Sequence, residues 1–174
     1  MSPGFDLAGG DRAMIAEQLA QLLADTLLLA VRTREAAWHL QGAPLLSLQA
    51  ELLSQSDGLV AALDALAARV RVLGFLPPEP LATGLARRLA AQAGADAAVT
   101  PATRIASLAS DHDDLAGSLR FLRPVLRDVD DGATALLVDA RLAFHEAAAD
   151  RLRSLVAAGR DEARRYERLL AGSE

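Results

Sequence analysis

Residues 45–73 read LLSLQAELLSQSDGLVAALDALAARVRVL, a run with no proline and a single glycine, Gly58. Within it Leu45, Leu48, Leu52, Ser56, Leu59, Leu63, Leu66, Val70 and Leu73 recur at steps of three and four. That spacing stacks side chains on one face of an α-helix, whereas a strand alternates its faces every second residue. A helix of this length spans about 40 Å. It carries one apolar stripe, which other helices must cover. Gly74, just past the stripe, is placed to cap the carboxyl end.

The partners lie on both sides. Upstream, Arg12 to Leu40 contains neither Gly nor Pro, and Ile15, Leu19, Leu22, Thr26, Leu29 and Thr33 form a second stripe. Gln41, Gly42, Ala43 and Pro44 make a short turn between these two helices. Downstream, Phe75 to Pro80 holds three prolines and excludes a helix, Leu81 to Ala93 has room for a short one, and Gly94 to Val99 reads as a loop. Thr100 followed by Pro101 resembles a helix start, and the third helix reaches about Arg123, where Pro124 bends or ends it. After a turn at Val129 to Gly132, a fourth helix runs from about Ala133 to at least Ala158. Gly159 reads as a break, and Arg160 to Leu170 as a further amphipathic turn or two.

Four long helices with one long crossover, between the second and third, describe an all-α four-helix bundle with a ferritin-like connection carrying a short helix. A cytokine-type bundle needs two long crossovers. The chain of 174 residues fits one domain. Residues 1–11 read as a flexible tail, 12–174 as the bundle, and about 159–174 as a carboxyl-terminal extension.

Composition agrees with this and removes several functions. Apolar residues make up 52% but aromatics only 3%, so helix formers dominate. The absence of cysteine excludes disulfide scaffolds, thiolate metal sites and cysteine nucleophiles. All 18 basic residues are Arg and the net charge is −5, which leaves no lysine-rich arm for nucleic acid. The most apolar window, Leu19 to Val31, is interrupted by Gln21, Asp25 and Thr26, so no membrane segment is expected, and cytoplasmic residence follows by default.

Bundle cores build metal centres from inward carboxylates and imidazoles, often as Glu-x-x-His. No such motif occurs, and His39, His112 and His145 fall on three different helices. Glu35 with His39 and Glu146 with Asp150 are four apart and can share a face. Asp64 is the most informative carboxylate, because its stripe of Gln49, Leu53, Val60 and Ala68 carries no other charge. It reads either as a metal ligand or as the partner of Arg69 or Arg71. Asp128, Asp130, Asp131 and Asp139 surround the last turn. They serve a helix dipole or, repeated around a symmetry axis, an acidic pore. Arg160, Arg164 and Arg168 form a row interleaved with Asp161, Glu162 and Glu167, as on a solvated helix face. No Gly-rich phosphate loop or nucleophile elbow is present.

The ordered set Thr33, Ala37, Trp38, Gly42, Ser47, Leu48, Asp64, Arg69, Leu73 and Gly74 resembles the Dps proteins, the ferritin-like miniferritins. The carboxyl half adds Asp111-His112-Asp113, Leu122 to Pro124, Asp131, Ala133-Thr134-Ala135, His145-Glu146 and Leu152-Arg153-Ser154. The resemblance implies a dodecameric homo-oligomeric shell that oxidises Fe²⁺ with peroxide or oxygen at sites shared between protomers. It also implies iron storage, oxidative-stress protection and, in some members, DNA binding through basic ends.

Carried over residue by residue, the resemblance keeps one strong ligand, Asp64. The two histidine positions hold Ala37 and Gln49, and the carboxylate positions hold Leu53 and Ala68. Leu136 stands where the family lines its pore with Asp. The expectation is therefore a Dps-like shell whose ferroxidase centre is degenerate, with iron held weakly at the usual site and DNA binding weak or absent. The alternative is a non-enzymatic structural member, with the former metal stripe as an apolar interface through Leu53, Val60, Ala67 and Ala68, that can co-assemble with an active paralogue.

Overall fold

The computed structural model describes residues 7–40, 45–79 and 100–171, with side chains through residue 159. Among these residues there are four helices: α1 (Gly9–Trp38), α2 (Leu46–Val72), α3 (Pro101–Asp128) and α4 (Gly132–Ala171). The Gln41 to Pro44 turn and the crossover, including the short helix expected at Leu81 to Ala93, lie outside the described residues.

The helices pair as α1 with α2 and α3 with α4, and the pairs meet mainly along α1 and α3, with a smaller contact between α2 and α4. Every α1 residue assigned to the stripe is buried: Ile15, Leu19, Leu22, Thr26, Leu29 and Thr33. On α2, Leu52, Ser56, Leu59, Leu66, Val70 and Leu73 are buried, while Leu45, Leu48 and Leu63 pack at the margin. Ile105, Leu108, Leu119 and Leu126 of α3 and Val138 and Leu152 of α4 close the core. By length and composition alone α1 is apolar enough to cross a membrane. Its buried stripe is instead a wall of the bundle interior, as in a core helix.

Two helix ends stop in the same way. At the end of α2, Gly74 takes a positive φ of 95°, its N–H bonds the Arg71 carbonyl at 3.0 Å, and the Phe75 N–H bonds the Val70 carbonyl at 3.2 Å. This is the Schellman arrangement that the glycine suggested. At the end of α3, Asp130 takes the same role at φ 55°, with its N–H on the Arg127 carbonyl at 3.2 Å and the Asp131 N–H on the Leu126 carbonyl at 2.9 Å. A side chain in this left-handed position costs roughly 1 kcal/mol relative to glycine.

Asp131 then caps the next helix. Its Oδ1 accepts from the Thr134 N–H at 3.0 Å, and it also accepts from the Thr134 hydroxyl and, at 2.6 Å, from Arg69 of α2. Arg69 donates as well to Thr134 Oγ1 at 2.7 Å, so one guanidinium ties α2 to the α3–α4 junction. Thr100 caps α3 as expected, accepting from the Thr103 N–H at 3.2 Å with Pro101 next in line.

Three boundaries differ from expectation. Pro124 neither ends nor replaces the last turn of α3, which continues to Asp128. Only the bond to the Arg120 carbonyl is lost to the missing N–H, and Pro124 sits on the exposed side, where water can reach the orphaned group. Gly159 does not break α4, which runs on to Ala171; an interior glycine costs only about 1 kcal/mol. At the other end, α1 begins at Gly9, inside the stretch read as tail.

Burial works against ionisation of the Asp131 carboxyl. The bonds from the Thr134 side chain and backbone and from Arg69 outweigh it and hold the group below the usual carboxylate range. Because its folded pKa is depressed, the stability it contributes is full above the ordinary carboxylate range and is lost as pH falls through and below it. Asp131→Ala removes a cap and strands the Arg69 charge, and should cost about 3 kcal/mol in chemical denaturation at pH 7. Asp130→Gly should add about 0.5–1 kcal/mol in the same measurement.

Candidate functional site

Of the positions matched to metal ligands, Ala37 of α1 is buried in the core, Gln49 and Leu53 of α2 are half-buried, and Asp64 and Ala68 lie on the outward face of α2. Asp64 is exposed on α2, with exposed Val60 and Ala68 one turn to either side and Leu53 half-buried further along. It is not the partner of Arg69, which is turned to Asp131. Gln49 donates to the Ala37 carbonyl at 3.1 Å, a bond that pins the start of α2 to the end of α1. Trp38, next to Ala37, is 65% exposed, and Leu46 and Val72 add exposed apolar surface on α2. His39 is exposed, and its Nδ1 lies 2.7 Å from the Glu35 backbone carbonyl rather than on the Glu35 carboxylate. Among the described residues, no three His, Asp or Glu side chains are grouped so as to hold a metal ion.

The four acidic residues of the α3–α4 junction have different surroundings. Asp128 and Asp130 are exposed, and Asp139 is half-exposed and paired with Arg123 at 2.5 Å. Asp131 is buried in its cap and its bond to Arg69. Leu136, one turn into α4, is 75% exposed.

A second cluster lies inside the bundle. Arg32 of α1 pairs with Asp111 of α3, Ser56 of α2 donates to the Ala30 carbonyl of α1 at 3.1 Å, and Gly58 of α2 faces Phe144 of α4. These contacts set the register, and they bring Thr33, Gln55, Ser56, His112 and His145 to about the same height. All five are buried, and each helix contributes at least one.

At the centre, His112 Nδ1 and His145 Nδ1 are 2.9 Å apart. Phe144 stands edge-on to His145 with ring centroids at 5.5 Å, and the Arg141 guanidinium lies over the Phe144 ring, 4.2 Å from its centroid. Burial drives the pKa of His112 down to about 4, with Arg141 adding to the effect and Asp113 opposing it. His145 falls to about 3 through burial, then through His112 and Arg141. Burial also lowers Arg141 to about 10. Both imidazoles are therefore neutral at pH 7, one Nδ1 donating to the other.

No protein-family model and no curated protein sequence matches the chain. Solved structures do. DpsC from Streptomyces coelicolor aligns with a TM-score of 0.75 at 18% identity over 87% of this chain and 88% of that one. A Dps protein from Bacillus brevis aligns at 0.71 and 25% identity, covering 84% and 97%. A Dps protein from Vibrio cholerae, described as a member of a broad superfamily of ferritin-like diiron-carboxylate proteins, aligns at 0.72 and 19%, covering 88% and 96%. The chain has the ferritin-like fold of the Dps proteins.

In this Dps-like bundle the outward face of α1 and α2 and the interior level of His112 and His145 are separate places. The sequence places the two histidines on different helices and carries no local motif that pairs them. The available signal was periodicity: His112 continues the stripe of Ile105, Leu108, Leu115 and Leu119, and His145 that of Val138, Leu142 and Leu152. Arg141 Nε and Nη2 are buried without a hydrogen-bond partner. Replacing that cation by a flexible apolar chain removes a desolvation cost. Arg141→Met should thus raise stability by about 1 kcal/mol in urea denaturation at pH 7.

Proposed function

We propose that the chain is the subunit of a Dps-like homo-oligomeric shell, a dodecamer, that holds iron and protects against oxidative stress in the cytoplasm, and whose ferroxidase centre is degenerate. The observation that carries this reading is the pairing of a Dps fold with an α1–α2 face on which Asp64 is flanked by Val60 and Ala68. Ferroxidation needs imidazole and carboxylate donors that hold two Fe²⁺ ions while each gives one electron to peroxide or oxygen. One exposed carboxylate and an amide committed to the Ala37 carbonyl make a poor set for that work. Asp128, Asp130 and Asp139 remain as acidic groups for a pore that admits cations, whereas Asp131 serves the fold. With a net charge of −5, binding to DNA is weak and confined to low salt.

A second reading has its own support. The exposed Trp38, Leu46, Val60 and Val72 suit a dry protein interface, as in a non-enzymatic structural member that co-assembles with an active paralogue.

Aerobic loading with Fe²⁺, with and without peroxide, tests the first reading by ferric absorbance and by iron bound after gel filtration. The expected result is slow oxidation, near the protein-free rate, that Asp64→Asn leaves unchanged. Fast oxidation that the substitution abolishes would show a working centre anchored by Asp64.

A further inference from the structure

The interior histidine pair lies outside the proposed iron chemistry and has a property of its own. A bond between His112 Nδ1 and His145 Nδ1 at 2.9 Å takes one N–H and one lone pair, so at least one of the two rings is neutral while it is made. A first extra proton, on the donor ring's Nε2, places positive charge in residues with no exposed surface, and a second turns the accepting lone pair into an N–H and breaks the bond. Among the described residues Asp113 alone favours that charge at His112, and burial and Arg141 outweigh it. On α4 the approaching charge is Arg141, itself a cation, while Glu146 is at the surface with Arg120. On α3, Asp113 is drawn outward to Arg153, Asp114 is exposed, and Asp111 is engaged by Arg32 of α1. From α1 the layer is met by Thr33, and from α2 by Gln55 and Ser56, none of which titrates. The charged groups of α2 at this height are Asp57, paired with Arg34 of α1, and Glu51, paired with Arg151 of α4.

We propose that the His112–His145 bond is an acid-sensitive latch, which holds α3 to α4 while both rings are neutral and whose contribution to stability falls away in mild acid. The direction follows from proton linkage. Both folded pKa values are depressed, so the unfolded chain takes up two protons that the folded chain refuses. The latch contributes fully above pH ~6.5 and loses its contribution as pH falls from there toward about 4. Between pH 7 and pH 5 the unfolding constant should rise about five-hundredfold from these two rings alone.

Urea denaturation at pH 7 and pH 5, at one protein concentration, compares the wild type with the double variant His112→Gln/His145→Gln, whose amides can hydrogen-bond but do not titrate. The expected rise is about five-hundredfold in the wild type and less than about tenfold in the variant. An equal rise in both proteins overturns the proposal. The wild type alone supplies an independent check. With ¹³C-labelled histidine, the resonances of the two interior rings should stay fixed from pH 7 to pH 5, and titration of either ring centred near pH 6.5 overturns the latch.

Discussion

Four helices that each carry one apolar stripe can bury all four only at one common register, and the rest of this molecule depends on how that register is held. The apolar layers do not fix it on their own, because leucine can slide past leucine at small cost. Polar ties do. Arg32 fixes α1 against α3, Ser56 fixes α2 against α1, and Arg69 fixes α2 against the α3–α4 junction. A shift of one helical turn would unmake several of these bonds at once and strand buried donors, which costs more than the bonds themselves contribute. The central histidines belong to the same logic: each ring is the partner of the other, and a slip of either helix leaves two polar rings in hydrocarbon.

Much of the fold could be read directly from the chain. The stripes on α1 and α2, the cap at Gly74 and the Thr100-Pro101 start all depend on local pattern, and each has its counterpart in the structure. Pro124 and Gly159 misled because breakers act through a local penalty of one to a few kcal/mol, which a long helix packed along its whole length can absorb. The junction at Asp130 was hidden for a related reason. A Schellman stop is usually marked by glycine, and here an aspartate takes that place.

The candidate site was less legible because it depends on pairing across helices. Periodicity says that His112 and His145 face inward, but only the register between α3 and α4 brings Nδ1 to Nδ1. The same is true of Arg69, which has Asp64 and Asp131 as possible partners in the sequence. Asp131 prevails because its carboxylate is already fixed by Thr134, so Arg69 meets an organised acceptor rather than an exposed, hydrated one.

That choice leaves Asp64 hydrated on the outward face of α2, and a hydrated carboxylate costs the protomer nothing. Of the other positions of the proposed centre, Ala68 is exposed beside it, whereas Ala37 is buried in the core and Leu53 packs against it. The energetics would change if, as in the proposed shell, a second protomer covered the face. The apolar neighbours Val60 and Ala68 then gain by leaving water, while Asp64 must lose its hydration. An interface over this stripe therefore has to bring a cation to Asp64, whether an arginine or a metal ion, or else take the carboxyl protonated. In the proposed shell the carboxylate that is exposed in this protomer becomes the point at which a covering partner would have to supply a charge.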